Sequence, residues 1–175
     1  MSKLLTLISK LAKKRAFFLL LAAYAFVFGT ILFTIVQITQ ASGGSGILDF
    51  ERGYTHTKVM EVLSSYGERG MQLYARIQWL DLLNPALYSL VLAVVAHKIL
   101  QGRGPIWLPV LALLGGVGDY LENITLFLIT RSFPDVSESL VEVSTGLSWL
   151  KNGLMAVSGL SLIVAVIIWL WRRFR

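Results

Sequence analysis

The chain has 175 residues, of which 55 % are hydrophobic and 15 % charged, with a mean hydropathy of +0.69. A soluble domain carries about 25 % charged residues, so this chain lacks the polar surface to cover itself in water and reads as a membrane protein. It has no cysteine, which excludes disulfide frameworks, thiol redox motifs and cysteine-held metals. Its histidines, His56 and His97, are too far apart in sequence to suggest a histidine metal site.

A bilayer core of about 30 Å takes roughly 20 apolar residues to cross as a helix, and four such stretches follow one another. Residues 1–16 form a basic N-terminus in which Leu4, Leu5, Ile8, Leu11 and Ala12 can build an interfacial helix whose lysines rest on anionic lipid headgroups. Residues 17–38 are the first span and hold no charge. Its apolar stretch exceeds the 7 to about 15 residues of a signal peptide, so it is expected to be a retained anchor.

Residues 39–76 are an outer connection. A flexible Gly/Ser segment at 41–46 is followed by an amphipathic helix at about 57–66, in which Val59, Val62, Leu63 and Tyr66 share a face and Gly67 is the stop. This helix is expected to lie over the mouth of the bundle, either as a lid or as a cover for helix ends. Asp49, Glu51, Arg52, Tyr54 and His56 would lie near it.

Residues 77–97 are the second span, with Asp81, Asn84 and Pro85 inside it, and 98–104 a cytoplasmic loop. Residues 105–129 are the third span, opened by Pro105 and carrying Asp119, Glu122 and Asn123. An outer acidic loop fills 130–148, with a short surface helix near 137–143. The fourth span, 149–171, starts with Lys151 and Asn152, and 172–175 is the tail. Tyr74 and Trp79 at one level, and Trp169 and Trp171 at the other, are expected as interfacial aromatics.

Charge placement sets the orientation. Lys3, Lys10, Lys13, Lys14, Arg15, Lys98, Arg103, Arg172, Arg173 and Arg175 occupy the two termini and the second connection, where there is no acid, while all ten acids lie elsewhere. Basic residues beside spans stay in the cytoplasm, so both termini are expected there and the formal charge of +6 records topology, not nucleic-acid binding. Small size and missing cysteine fit a bacterial inner membrane.

With this orientation Asp81 and Asn84 fall in the outer half of the membrane. Asp119, 14 residues beyond Pro105, stands about 21 Å up its helix at the same level. The spacing gathers Asp81, Asn84, Pro85 and Tyr88 on one face, and Ala112, Gly115, Gly116, Asp119, Glu122, Asn123 and Leu126 on another. Milder stripes run along Thr30, Thr34 and Gln37 and along Asn152, Ala156 and Gly159. The expected fold is an all-α four-helix membrane bundle with these stripes turned inward.

An unpaired acid at the centre of a spanning helix costs about 2.5 to 3.5 kcal/mol. Asp81, Asp119 and Glu122 therefore need partners or a wet cavity, and Lys151, Arg76, Asn84 and Asn123 are the partners at hand. The binding set is Asp81, Asn84, Asp119, Glu122, Asn123, Lys151, Asn152 and Arg76, with Asp119, Glu122 and Asp81 the candidates for catalysis. The glycines before Asp119 read more as helix-packing positions than as a ligand approach. Asn84 before Pro85 either opens a carbonyl or only allows a kink.

No nucleophile elbow, phosphate loop, dinucleotide fingerprint or zinc-protease motif is present, and no cofactor or metal is expected. Small multidrug transporters are shorter and place a glutamate in the first span, which here has no acid. Three functions are open: binding of a lipid headgroup, small amphiphile or partner helix in an outward-facing acidic pocket; an intramembrane enzyme using paired carboxylates on a lipid-like substrate; and a small proton- or cation-coupled transporter. The first is favoured because the inner halves of the spans are almost wholly apolar. The other expected partners are the bilayer itself and further membrane subunits or copies of the chain.

Overall fold

The computed structural model describes residues 2–51, 53–100 and 107–174. Arg52, Arg103 and Pro105, and with them most of the expected cytoplasmic loop, lie outside the described residues. Six α-helices follow in order: α1 (Ser2–Leu11), α2 (Lys14–Ala41), α3 (His56–Leu80), α4 (Asn84–Ile99), α5 (Trp107–Ser132) and α6 (Glu138–Arg173), with one 3-10 turn at Leu48–Phe50. Among the described residues all regular structure is helical.

Three helices, α2, α5 and the Glu138–Trp171 stretch of α6, are long and apolar enough to cross a membrane. In α2 and α6 only 17 % and 12 % of the most apolar window is buried within the protein. Such continuous apolar surface is unstable in water and natural in lipid. A fourth crossing exists if α3 and α4, bent by 41° at the short break between them, act as one broken span. The 16 residues of α4 reach only about 24 Å, short of the roughly 30 Å core, so α4 needs the end of α3 to complete a crossing.

The sequence reads 77–97 as one helix, whereas the chain leaves helix at 81–83 and restarts at Asn84. Pro85 is the cause. It lacks an N–H, and its ring opposes the carbonyl four residues earlier, so the helical bond to the Asp81 carbonyl cannot form. That carbonyl instead accepts from Asn123 Nδ2 at 3.3 Å, and the neighbouring Leu82 carbonyl from the Tyr120 hydroxyl at 2.7 Å. Asn84 before the proline thus does open carbonyls, and α5 takes both.

Gly67 (φ 56°, ψ −169°) divides α3 into two helices at the expected stop. The outer one buries Val59, Val62, Leu63 and Tyr66 against Ile38, Leu126, Ile129, Val136 and Val141. Its apolar face is fully used within the fold, so this helix covers helix ends rather than lying loose as a lid. α6 differs from expectation too. The acidic loop and its separate surface helix are absent, because Ser137 caps a helix that starts at Glu138 and runs unbroken to Arg173, about 54 Å.

α2 packs on α3 and α4, α4 on α5, and α5 on α6, whereas α2 and α6 scarcely touch. Toward the expected cytoplasmic end, α1 buries Ile8 against α2 and α4, and its Ser9 hydroxyl lies 3.3 Å from His97 Nε2. The lysines of this N-terminal segment, Lys3, Lys10, Lys13 and Lys14, are all exposed.

Candidate functional site

Two glycines of α5 set the site. A Cβ on Gly116 would stand 2.8 Å from Ser89 Oγ and 3.0 Å from the Pro85 carbonyl, so α4 lies directly against it. A Cβ on Gly118 would stand 3.3 Å from Lys151 Cα of α6. With α4 and α6 drawn this close, the next inward side chains of α5, Asp119 and Glu122, meet Lys151. Lys151 Nζ lies 3.3 Å from Asp119 Oδ1 and pairs also with Glu122 Oε2. Exposures of 6 % for Asp119, 0 % for Glu122 and 8 % for Lys151 place this triad out of solvent.

Beside it lies a second group. Asn84 Nδ2 donates to Asp81 Oδ1 at 2.9 Å, and Asn123 spends its amide on the Asp81 backbone. The two groups unite Asp81, Asn84, Asp119, Glu122, Asn123 and Lys151 in one region. Two members of the expected set depart. Arg76 is exposed and outside the cluster, so among the described residues Lys151 is the cation paired with Asp119 and Glu122. Asn152 is exposed overall, though it touches the cavity rim and reaches Ser148 Oγ at 3.4 Å. Once Lys151 turns toward α5, residue 152 lies about 100° around the helix. The inward stripe of α6 is accordingly Ser144, Ser148, Lys151 and Ser158, in place of Asn152, Ala156 and Gly159.

A further acid arrives from the outer connection. Ile47 and Leu48 are buried, and the 3-10 turn after them carries Asp49 to the acidic level, where Tyr74 donates to it at 2.9 Å. Tyr74 is therefore buried at 0 % exposure, not an interfacial anchor. Burial pushes the Asp49 carboxyl above the ordinary carboxylate range, against the opposing pull of Lys151 and of the Tyr74 hydrogen bond.

The segment around Asp49 is tied at both ends. Tyr66 donates to the Gly46 carbonyl at 2.9 Å, and His56 Nε2 lies 2.8 Å from the Val136 carbonyl. Between them runs a chain of hydroxyls. Thr125 gives its proton to the Glu122 carbonyl at 2.8 Å, so Ser144, 2.7 Å away, must donate to Thr125, and Tyr54 to Ser144.

Two cavities adjoin these groups. The larger, about 370 Å³, is lined by the polar Asp49, Asp81, Asn84, Tyr88, Asp119 and Lys151 and by apolar residues that include Tyr24, Phe28, Ile31 and Met155. The smaller, about 260 Å³, runs between Trp79, Leu82, Tyr120, Ile124 and Phe127, and shares Asp49 and Asp81 with the first. α2 and α6 both line the larger cavity without packing on each other, so no helix contact closes it between them. Glu122 lines neither cavity, which leaves Asp81 and Asp119 as the catalytic candidates a ligand could reach.

Among the described residues no group of three or more His, Asp or Glu side chains is arranged to hold a metal ion. The chain matches no protein-family model, and no characterised protein or solved structure is detectably similar to it. Asp49 is the site residue whose part is not legible from spacing. Its one signal is the apolar Ile47, Leu48 and Phe50 around it, unusual after a Gly/Ser linker.

Proposed function

We propose that this chain is a four-helix protein of the cell membrane, with both termini on the cytoplasmic side, that binds a lipid-like amphiphile in its acidic cavity. The observation that carries the reading is the mixed lining of the larger cavity. Carboxylates, an amide and a hydroxyl line it together with Tyr24, Phe28, Ile31 and Met155. A head and a chain joined in one molecule satisfy both kinds of lining, and the unpacked line between α2 and α6 is a way in from the bilayer. At about 370 Å³ the cavity is at the small end of ligand sites. It suits a headgroup with part of a chain, and is too narrow for a partner helix about 10 Å across.

Transport is the weaker reading. On the expected cytoplasmic side of Asp119 the buried residues are mostly apolar, among them Leu20, Val91, Val94, Ala96, Leu108 and Ala112, and the buried hydroxyls of Ser89 and Ser158 are each spent on a carbonyl of their own helix. Catalysis by Asp81 and Asp119 on a lipid-like substrate uses the same cavity and follows only if binding is established.

The test is occupancy. Full-length protein purified in nanodiscs is expected to retain an amphiphile detectable by native mass spectrometry. Met155→Trp, which fills the cavity from α6, is expected to release it while leaving the protein folded. A Met155→Trp protein that holds the same molecule equally well would overturn the reading.

A further inference from the structure

The charge and hydrogen-bond capacity of the cavity wall specify the head. Asp49, Asp81 and Asp119 line it, and Lys151 is the only cation there among the described residues. That ammonium already faces both Asp119 and Glu122. Among the described residues the side-chain hydrogen bond to Asp49 comes from the Tyr74 hydroxyl and that to Asp81 from the Asn84 amide, both neutral donors.

Beyond the acids, the lining has unused polar atoms. The Tyr88 hydroxyl, on a residue only 7 % exposed, is buried and closes no hydrogen bond. Asn84 gives its Nδ2 to Asp81, and its buried Oδ1 accepts from no group among the described residues. A carbonyl oxygen can only accept, so a ligand that satisfies it must bring a donor. Aromatic faces complete the wall: Tyr24 and Phe28 are stacked with centroids 5.5 Å apart, and Phe50 and Tyr88 stand beside the acids. Carboxylates with aromatic rings suit an ammonium group.

We infer that the cavity selects a primary ammonium carried on an apolar chain, its N–H groups shared among Asp49, Asp81 and Asn84 Oδ1 and its chain lying along Tyr24, Phe28 and Met155. The inference rests on the amphiphile reading above and narrows it to one head chemistry. An anionic head would face three carboxylates, and a quaternary ammonium would leave the Asn84 oxygen unmet.

The experiment uses full-length protein in phosphatidylcholine nanodiscs, with empty nanodiscs subtracted, titrated with dodecylamine, dodecyltrimethylammonium, dodecanol, dodecanoate and butylamine. Dodecylamine is expected to bind at least about tenfold more tightly than each of the others. The preference should collapse in Asp81→Asn, with Asp49→Asn as a second variant should the first fold poorly. Equal binding of dodecanol or dodecanoate would overturn the ammonium inference and leave the amphiphile pocket standing. Equal binding of dodecyltrimethylammonium would remove the N–H requirement. Butylamine binding as well as dodecylamine would make the ligand a free amine rather than a lipid, and no binding by any probe would overturn both readings.

Discussion

Lys151 holds its place against two acids that have almost no access to solvent, and the cost of removing it differs from the cost of removing the whole arrangement. Breaking a buried ion pair from one side leaves an uncompensated charge, at about 3–5 kcal/mol, whereas replacing both partners with neutral groups is far cheaper. Lys151→Met is therefore expected to destabilise the protein by that amount in detergent unfolding, because among the described residues Glu122 has no other cation paired with it. Adding Glu122→Gln to Lys151→Met should recover at least half of the loss. A double variant no more stable than the single one would show that Lys151 contributes by packing and not by charge. Asp49 allows a pH test on the same scale. Its folded carboxyl is raised above the ordinary 3.8 by burial, so at pH values between the two the folded chain holds a proton that the unfolded chain has lost, and above the raised value both are ionised. Stability from this group is complete below about pH 4 and falls as pH rises from there through the raised value. Lys151, Tyr74 and Asp119 face it and are unchanged in Asp49→Asn. That variant is expected to show a flatter dependence of unfolding on pH above about 4 than the parent; an identical slope would remove Asp49 as its source.

At the scale of the element, the glycines of α5 give a paired prediction. Gly116 and Gly115 are neighbours on a buried face, yet a Cβ at Gly116 would collide with Ser89 and the Pro85 carbonyl, whereas one at Gly115 would meet only Met155 Cγ at 3.7 Å. Gly116→Ala should cost about 1–3 kcal/mol by forcing α4 and α5 apart. Gly115→Ala should be nearly neutral, and equal effects at the two positions would contradict the close approach. The small-residue pattern of Ala112 and Gly116 announces such a contact from sequence alone, but not which helix supplies the other side. The same limit governs the break before α4. Pro85 makes a disturbance foreseeable, yet the partners that stabilise the freed carbonyls, Asn123 and Tyr120, lie about 40 residues away and only tertiary packing brings them there. Asn123 reads as a ligand-binding residue in sequence, and in the fold its Nδ2 secures backbone while the residue also lines the smaller cavity.

At the scale of the whole molecule, what was legible was local. Long apolar runs locate α2, α5 and most of α6, and helical spacing collects Asp119 and Glu122 on one face, because both signals depend on residues within a few turns of each other. The burial of Asp49 was not legible. It depends on Tyr66, Tyr74 and Ser144 holding one short segment from three directions. The absence of packing between α2 and α6 is likewise a property of the assembled helices, and no stripe on either one announces it. Orientation in the membrane is a whole-molecule property of a different kind, set by the distribution of charge and testable without a ligand. The lysines of the N-terminal segment are exposed, as is Asp135 in the turn between α5 and α6. The chain has no cysteine, so a single introduced thiol reports its own side of the membrane without background. If basic residues hold the termini in the cytoplasm, Asp135→Cys should react with a membrane-impermeant maleimide in intact cells. Lys10→Cys should react only after the membrane is opened. The reverse pattern would place the acidic level in the cytoplasmic half of the bilayer, so that the amphiphile bound there would come from the inner leaflet.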